Sequence, residues 1–359
     1  MNIDDLTRQT GEWMAGSGPE REIVVSSRVR LARNLAEYPF STKATRTQRA
    51  ELHRKCRERL LGLGIGGGEG GKDRSVFYVD MDKTDEIDRQ LLVERHLISR
   101  QHAAGDGARG VAISPDEVVS VMVNEEDHLR LQVMRSGLQL KAAWQEADRL
   151  DDLLQETMEY AFNNRWGYLT ACPTNLGTGL RVSVMLHLPA LKLTGEIEKV
   201  FRAAKDMHLA VRGLYGEGTE AIGDFYQISN QTTLGRSEQE ILNEFNDVII
   251  PRIIQTEMAA RQVLENEQPL ALDDKIGRAI GALTNARLLT SEETLFYLSH
   301  LRLGVVLGRI SGLDLQTINQ LFLQTQPAHL QKALGKTLDG EARKAARADF
   351  VRAKLKKTT

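Results

Sequence analysis

The sequence has few of the features that mark a secreted, membrane-bound or metal-binding protein. Its 359 residues include only two cysteines, Cys56 and Cys172, which provide neither a disulfide framework nor a zinc pattern. The eight histidines are scattered, so we expect no metal centre built from protein side chains. No apolar run is long enough to span a bilayer, and residues 1–5 lack the basic and apolar segments of a signal peptide. We therefore expect a cytoplasmic protein.

An excess of charge of one sign is also missing. The chain has 47 basic and 49 acidic residues, for a formal net charge of -2. Whole-molecule attraction to nucleic acid or to an acidic membrane is therefore not indicated. The hydrophobic content of 41% is that of an ordinary globular protein, and the length permits two domains with a sizeable core. We expect neither nucleic acid nor membrane as a partner.

The most informative stretch is a pair of alternating segments, residues 118–123 and 129–134. Period-2 alternation on both sides of a polar break predicts two half-buried strands joined by a turn. The turn holds three consecutive carboxylates, Glu125, Glu126 and Asp127. Arg130 is predicted to lie beside them, on the strand face away from the core. A solvated acidic turn and a site that handles a cation and an anion together are both compatible with this stretch.

Four separate strand segments are predicted to present arginines away from the core. These arginines are Arg28, Arg30, Arg130, Arg181 and Arg212. Each of the four faces uses arginine and none uses lysine, and the planar guanidinium fits phosphate oxygens in bidentate fashion. Five such groups could enclose a polyphosphate, although a charged edge strand would also explain the first two. Spacing alone leaves open whether they converge.

Other patterns outline the remaining fold. Helices are predicted at 45–61, with Cys56 packed inside rather than reactive, and at 138–162. Gly177 and Gly179 are predicted to let the backbone approach a ligand closely. Pro251 is predicted to kink or end a helix. Amphipathic helices then recur near 273–288, 291–308, 314–323 and 340–356.

Three segments resemble the signature motifs of the phosphagen kinase superfamily, which includes creatine and arginine kinases. They are Ser26-Ser27-Arg28-Val29-Arg30, Asn124-Glu125-Glu126-Asp127-His128-Leu129-Arg130 and Cys172-Pro173-Thr174-Asn175-Leu176-Gly177-Thr178-Gly179-Leu180-Arg181. The three motifs occur in the order of the family and at similar spacing. Two further segments, Arg212-Gly213-Leu214-Tyr215-Gly216-Glu217-Gly218 and Tyr226-Gln227-Ile228-Ser229-Asn230-Gln231, resemble one branch, the bacterial protein arginine kinases.

The resemblance, which covers about residues 20–250, implies an α+β fold. It predicts an antiparallel β-sheet flanked by helices in a catalytic domain, residues 1–248. An all-α domain, residues 249–359, is predicted to follow it and to mediate dimerisation. Small-molecule members carry a helical domain of about a hundred residues ahead of the Ser-Ser-Arg motif, whereas 25 residues precede it here. We expect this difference to leave the site open to a protein-borne arginine.

The implied reaction is transfer of the γ-phosphoryl group of ATP to the guanidinium of arginine residues in proteins. By resemblance Glu126 is the base, Glu125 orients the guanidinium, and Cys172 and Arg181 assist electrostatically. Mg²⁺ would be held chiefly by phosphate oxygens and water. The nucleotide-binding residues implied by resemblance are Ser26, Ser27, Arg28, Val29, Arg30, His96, Arg130, Arg181, Val182, Ser183, Val184, Met185, Arg212, Gly213, Leu214, Tyr215, Gly216 and Glu217.

The branch also implies partners. These are protein substrates with exposed arginines, an activator protein, a Clp-type chaperone–protease that would degrade the marked proteins in a stress response, and a second copy of the chain. The phosphoarginine-binding motif of the branch, Arg-Asp-x-x-Arg-Ala, corresponds to residues 348–353, where alanine replaces the first arginine and Asp349 and Arg352 remain. Two alternatives stay open: a small-molecule guanidino kinase, and a non-catalytic adaptor for a Clp chaperone–protease.

Overall fold

The computed structural model describes residues 2–63, 76–213 and 222–356. Its strands are β1 Val24–Arg33, β2 Phe77–Asp80, β3 Gly110–Ile113, β4 Val119–Val123, β5 Leu129–Ser136, β6 Phe162–Asn163, β7 Gly167–Tyr168, β8 Leu180–His187, β9 Leu209–Arg212 and β10 Phe225–Asn230. Its α-helices are α1 Ile3–Leu6, α2 Arg46–Gly62, α3 Glu86–Glu94, α4 Arg100–Ala104, α5 Leu140–Gln155, α6 Pro189–Leu193, α7 Ile197–Asp206, α8 Glu238–Asn243, α9 Ile250–Glu267, α10 Pro269–Asn285, α11 Ser291–Val306, α12 Leu315–Gln324, α13 Pro327–Leu334 and α14 Gly340–Leu355.

One eight-stranded antiparallel sheet organises the molecule, in the order β2-β3-β4-β5-β1-β8-β10-β9. β1 lies near the middle, between β5 and β8, so the start of the chain is enclosed by strands from much later in the sequence. Alternation along β1 directs Val29 and Leu31 to one face of the sheet and Arg28 and Arg30 to the other. The predicted antiparallel sheet is confirmed.

Two layers of helices cover the sheet. The first hydrophobic cluster joins one face to α2, α5 and α9, and Cys56 is fully buried in it, as predicted. The second cluster joins part of the opposite face to α11, α12 and α14. Helices α11, α12 and α14 of the helical tail thus pack on the face that carries the arginines, whereas α9 packs on the opposite face. The predicted all-helical C-terminal part is confirmed. Within the described ranges, no helix combines the length and apolarity needed to cross a bilayer.

The predicted helix at 138–162 ends earlier than expected. α5 stops at Gln155, and the chain then turns back toward the end of β1. There Tyr160 forms an isolated β-bridge with Leu35, and the Ala161 N–H donates to the carbonyl of Asn34 at 2.8 Å. The helical periodicity of residues 159–161 is therefore misleading, because these residues pair with residues 34–36, directly after β1, while the N–H groups of residues 156–158 still donate to carbonyls of α5.

Smaller features of the fold also differ from the sequence pattern. Alternation along residues 23–31 predicts that Val25 shares a face with Val29 and Leu31, but Val25 packs in the second cluster, because a β-bulge near Val24 and Ser26 shifts the register of β1. Pro251 does not end a helix, since α8, a π-helical turn at Glu244–Ile249 and α9 follow one another without a break. The local departure from α-helical geometry is the π-helical turn directly before Pro251, where the Ile250 N–H donates to the Phe245 carbonyl. The pattern also missed α13.

Candidate active site

Five arginines from four strands line one cleft of about 400 Å³, called here the arginine cleft. They are Arg28 and Arg30 of β1, Arg130 of β5, Arg181 of β8 and Arg212 of β9. Arg30 and Arg181 stand directly opposite each other across the β1–β8 pair. Like charges directly opposite each other destabilise a sheet, so an anion bound between the two guanidinium groups would reduce their repulsion. The structure brings together the side chains that the sequence left separate.

The two arginines of β1 that face the cleft, Arg28 and Arg30, form no ion pair with a carboxylate of the residues that the structure describes. Arg28 donates to Ser183 Oγ at 3.2 Å and to Gln227 Oε1 at 2.6 Å. The Nε and Nη2 atoms of Arg30 are buried without a hydrogen-bond partner. Burial, followed by the charges of the neighbouring arginines, lowers the pKa of both groups. Unmatched, buried donors of this kind fit the oxygens of a polyphosphate.

The three carboxylates of the β4–β5 turn have three different positions. Glu125 accepts from Ser99 Oγ at 2.6 Å, from the Glu126 N–H at 2.9 Å and from Arg130 at 2.6 Å. Burial alone would raise the pKa of Glu125, but Arg130 and the two other donors together lower it. Glu125 is therefore an ionised, fixed carboxylate beside the cleft.

Asp127 is structural. It is buried, and its Oδ1 accepts from Asn34 Nδ2 and from the Ala171 N–H, both at 2.7 Å. This contact ties the β4–β5 turn to the loop that carries Cys172. Glu126, between the other two acids, lines the cleft together with Cys172. The Cys172 thiol lies 3.0 Å from Thr174 Oγ1 and is partly exposed.

His96 forms part of the cleft wall in an unusual backbone conformation. Its φ is 57°, in the left-handed region, and its ring meets the ring of buried Trp13 edge-on at 5.0 Å. Burial first, and then the charges of Arg28, Arg100 and Arg30, lower its pKa to about 3. The imidazole is therefore neutral near pH 7 and presents no positive charge to the cleft.

The other predicted nucleotide-binding residues divide between the two faces of the sheet. Ser183 contacts Arg28 beside the cleft, and Ser26 and Met185 line a small hollow next to His96. Gly213 follows β9. Four of the predicted residues, Leu214, Tyr215, Gly216 and Glu217, lie outside the described residues.

The structure does not bring the remaining four side chains to the cleft. Val29, Val182 and Val184 are fully buried in the first cluster, on the opposite face of the sheet. Ser27 donates to the Gly137 carbonyl at 2.8 Å and accepts from the Gln139 N–H at 2.9 Å. These side chains support the strands that carry the arginines.

Residues that the sequence reading missed also line the cleft. Ser99 holds Glu125, Gln227 holds Arg28, and Arg100 and Gln132 contribute to the wall. Gln227 lies within a segment that carried the family resemblance, and that resemblance could have identified it as a site residue. For Ser99 the signal was weaker, because an N-capping serine looks the same wherever its helix packs.

Gly177 and Gly179 allow close approach between segments of the protein's own backbone. A Cβ at Gly179, where φ is 65°, would lie 2.6 Å from the carbonyl oxygen of Ala32. A Cβ at Gly177 would lie 2.9 Å from the Cα of Leu234. The glycines therefore permit close packing of the loop that carries Cys172 against β1 and the segment after β10.

The predicted phosphoarginine contacts lie on α14, outside the group of side chains that lines the cleft. Arg352 donates to the carbonyl of Ala286 and to Asp349, while Asp349 is 71% exposed. Arg347, one position before the replaced arginine of the motif, is buried and donates to the carbonyls of Thr325 and Leu289 at 2.7 and 2.9 Å. Arg347 is therefore occupied structurally.

Among the described residues, no group of three or more His, Cys, Asp or Glu side chains is arranged to hold a metal ion.

Two known families match, between them, most of the chain. Residues 68–260 match the ATP:guanido phosphotransferase C-terminal catalytic domain. Solved structures agree: lombricine kinase is 30% identical with a TM-score of 0.58, covering 72% of each chain. Taurocyamine kinase from Schistosoma mansoni, with bound transition-state analogue components, is 29% identical with a TM-score of 0.60, over 67% of this chain and 34% of that one. The chain belongs to the ATP:guanido phosphotransferase family, the class of enzymes that uses ATP to phosphorylate guanidino groups.

Its full-length relatives define the branch within that class. A protein-arginine kinase from Halothermothrix orenii is 44% identical, with 99% of each chain covered. One from Symbiobacterium thermophilum is 46% identical over 98% of each chain. Residues 269–359 match the C-terminal domain of the protein-arginine kinase McsB. The chain is therefore a member of the protein-arginine kinase branch, as its motifs predicted.

Proposed function

We propose that this chain transfers the γ-phosphoryl group of ATP to the guanidinium of arginine residues in proteins. The single observation that carries the proposal is the arginine cleft, where guanidinium groups from four strands meet two glutamates and a cysteine. Phosphoryl transfer depends almost entirely on positioning and on stabilising charge around the transferring group. The cleft supplies cations for the triphosphate and carboxylates for a cationic acceptor, which are the two chemistries that this reaction needs.

We assign the triphosphate to the arginines. The two donors of Arg30 that are buried without partners would bind phosphate oxygens, and Arg28, Arg130, Arg181 and Arg212 would complete the enclosure. Mg²⁺ would be held by phosphate oxygens and water, as is usual for this ion in phosphoryl-transfer sites. Neutral His96, with Ser26, Ser183 and Met185 nearby, would contact the nucleoside part.

We assign the acceptor arginine to the glutamates. A guanidinium is protonated at ordinary pH and is then no nucleophile, so a base must take its proton as the N–P bond forms. Glu125 is held by Ser99, Arg130 and a backbone N–H, which suits it to orient the acceptor rather than to accept a proton. Glu126 is the proposed base. Cys172 would act electrostatically beside the guanidinium and form no covalent intermediate.

The deciding experiment supplies ATP and Mg²⁺ with an unfolded, arginine-rich protein, and separately with free arginine or creatine. We expect only the protein to accept phosphate, and we expect that phosphate to be lost in acid, because a phosphoramidate is acid-labile whereas phosphoserine is not. Transfer to the small guanidino compounds would favour the small-molecule kinase, an activity named for the solved relatives. Delivery of proteins to a Clp protease by a Glu126→Ala variant at the wild-type rate would favour an adaptor.

We further propose the biological setting that the branch implies. The chain would act in the cytoplasm as a homodimer through residues 249–359, with residues 1–248 as the catalytic domain. An activator protein would regulate it, and its phosphorylated products would be degraded by a Clp-type chaperone–protease. Asp349 and Arg352 would supply what remains of a phosphoarginine-binding segment. Sedimentation of the full chain would test the dimer, and binding of phosphoarginine to wild type and to Arg352→Ala would test the segment.

A further inference from the structure

A buried carboxylate joins the C-terminal helices to the wall of the arginine cleft. Glu94, the last residue of α3, accepts from the backbone N–H groups of Ala328 at 2.9 Å and His329 at 3.0 Å, at the start of α13. The side chains of Glu94 and His329 are each only 2% exposed. Unpaired N–H groups at a helix start favour an anion, so Glu94 docks α13 onto the end of α3.

His329 extends this contact to the residue that precedes His96. Its Nδ1 lies 2.8 Å from Glu94 Oε2, and its Nε2 lies 3.0 Å from Arg95 Nη1. Because a guanidinium only donates, Nε2 must accept, and the neutral ring donates from Nδ1 to Glu94. Arg95 is also fixed on its other side, where its Nε donates to Glu117 at 2.8 Å. Each polar side-chain atom of Glu94, Arg95 and His329 therefore has at least one defined partner.

The same segment shapes the cleft over the next five residues. His96 follows Arg95 directly and lines the cleft with φ of 57°, a left-handed conformation that is strained for a residue other than glycine. Its carbonyl accepts from Gln132 at 2.7 Å. Three residues later, Ser99 donates to Glu125. A strained backbone of this kind persists only when the surrounding contacts hold it.

We infer that Glu94 and His329 are positioning residues for nucleotide binding. Through Arg95 they hold residues 95–100 against the arginine cleft, so α13 of the helical tail helps to keep the nucleotide site in shape. The inference rests on the proposed function for its kinetic consequence. Its structural consequence, the order of residues 95–100, does not depend on that function.

The chain offers a matched control on the other face of the sheet. Glu257 of α9 accepts from the N–H groups of Ala190 at 3.2 Å and Leu191 at 3.0 Å, at the start of α6. Like α13, α6 begins with a proline, and Glu257 is fully buried beside Arg261. The chemistry is the same as at Glu94, but α6 and α9 pack in the first cluster, away from the arginine cleft.

The test compares wild type with His329→Leu, His329→Gln and Glu257→Gln. We expect His329→Leu to lower kcat/KM for ATP by as much as about 100-fold, chiefly through KM, because a wall displaced by about 1 Å misplaces the nucleotide. Hydrogen exchange at residues 95–100 should become faster. His329→Gln should restore most of both properties, since its amide keeps one donor and one acceptor. Glu257→Gln should lower the melting temperature and leave KM for ATP and exchange at 95–100 unchanged.

Two results would overturn the inference. One is a KM for ATP in His329→Leu that matches wild type or the Glu257→Gln control, and the other is unchanged exchange at residues 95–100. Failure of the proposed function would look different, because wild type would then bind ATP without phosphorylating arginine. In that case the same comparison would be made with the dissociation constants of the four proteins for ATP in place of KM. A wild type that binds no ATP would overturn the inference as well.

Discussion

The two faces of strand β1 use the same side chain for opposite purposes. On the core face, Arg33 is 2% exposed and donates twice to Asp151, at 2.7 and 3.0 Å, and to the carbonyls of Ala32 and Thr178, both at 2.9 Å. Its guanidinium also lies 3.6 Å from the centre of the Tyr168 ring. On the cleft face, Arg30 has buried donors without partners, and Arg28 contacts only neutral groups among its defined hydrogen bonds.

The contrast distinguishes an arginine whose hydrogen-bond donors are matched within the protein from one whose donors are left unmatched. A buried guanidinium costs free energy unless its donors are matched. Arg33 meets that requirement within the chain, and the same holds for Arg347, which donates to two carbonyls. Arg30 does not, and it faces Arg181 across the strand pair. An anion bound between Arg30 and Arg181 would reduce the repulsion between these two guanidinium groups.

The largest expected effect distinguishes Glu126, which lines the cleft, from Asp151, which pairs with Arg33 on the core face of β1. Glu126→Gln should lower kcat by about 10²- to 10⁴-fold, because a positioned base is lost while the fold is kept. The matched change on the core face, Asp151→Asn, removes the charge that pairs with Arg33. It should lower the melting temperature and leave kcat of the folded fraction near wild type. Steady-state kinetics and thermal unfolding of both variants check this, and equal losses of kcat would contradict the assignment of Glu126.

Arg30→Ala should have the next largest effect on the reaction. Removing a group that stabilises the transferring phosphoryl should lower kcat by about 10²- to 10³-fold. The melting temperature should stay the same or rise, because the repulsion from Arg181 and Arg28 is removed. Kinetics with saturating ATP and a thermal scan of the ligand-free protein measure both quantities. A destabilised variant with intact kcat would show that Arg30 is structural.

Arg33→Met should act on stability. The substitution leaves Asp151 buried without its ion pair, and we expect the free energy of unfolding to fall by about 3–5 kcal/mol. Urea unfolding measures the change. Arg28→Met, on the cleft face of the same strand, is the control and should cost far less. A loss below about 1 kcal/mol for Arg33→Met, typical of exposed pairs, would remove the contrast between the faces.

The smallest expected effect concerns pH. In the folded protein the pKa of His96 is lowered to about 3 from an ordinary value of 6.5. Between these two pH values the unfolded chain therefore binds more protons at His96 than the folded chain does. Stability therefore rises with pH in this window and is lost as pH falls below about 6.5, by at most about 1.4 kcal/mol per pH unit for one proton. His96→Asn should reduce that slope between pH 6.5 and 5 in urea unfolding. An unchanged slope would mean that His96 titrates normally.

Part of this site could be predicted from the chain alone. Alternation in β1 and β5 assigned Arg28, Arg30 and Arg130 to faces away from the core, since side chains in strands alternate by simple geometry. The acidic turn was equally clear, but the separate roles of its three carboxylates were not. They depend on Ser99, Asn34 and Ala171, which reach the turn from distant parts of the chain.

The features that the sequence did not predict also depend on contacts between distant parts of the chain. The predicted helix continued to residue 162, but residues 160 and 161 instead pair with Leu35 and Asn34, directly after β1. Glu94 and His329 gave no signal, because they are 235 positions apart and neither belongs to a recognisable motif. The bulge that moves Val25 to the other face is a property of the pairing between β1 and β8, and periodicity within β1 cannot reveal it.

What the amino-acid order determines here is local: which residues alternate, which helices are amphipathic, and which motifs identify an ATP:guanido phosphotransferase. The tertiary structure decides which of these local faces meet. β1 is enclosed by β5 and β8, more than a hundred residues later in the case of β8, and only that arrangement brings four separate arginine-bearing strands to one cleft. The reason is physical: the partners of a buried charge are set by distance in space, and spacing along a chain does not encode that distance.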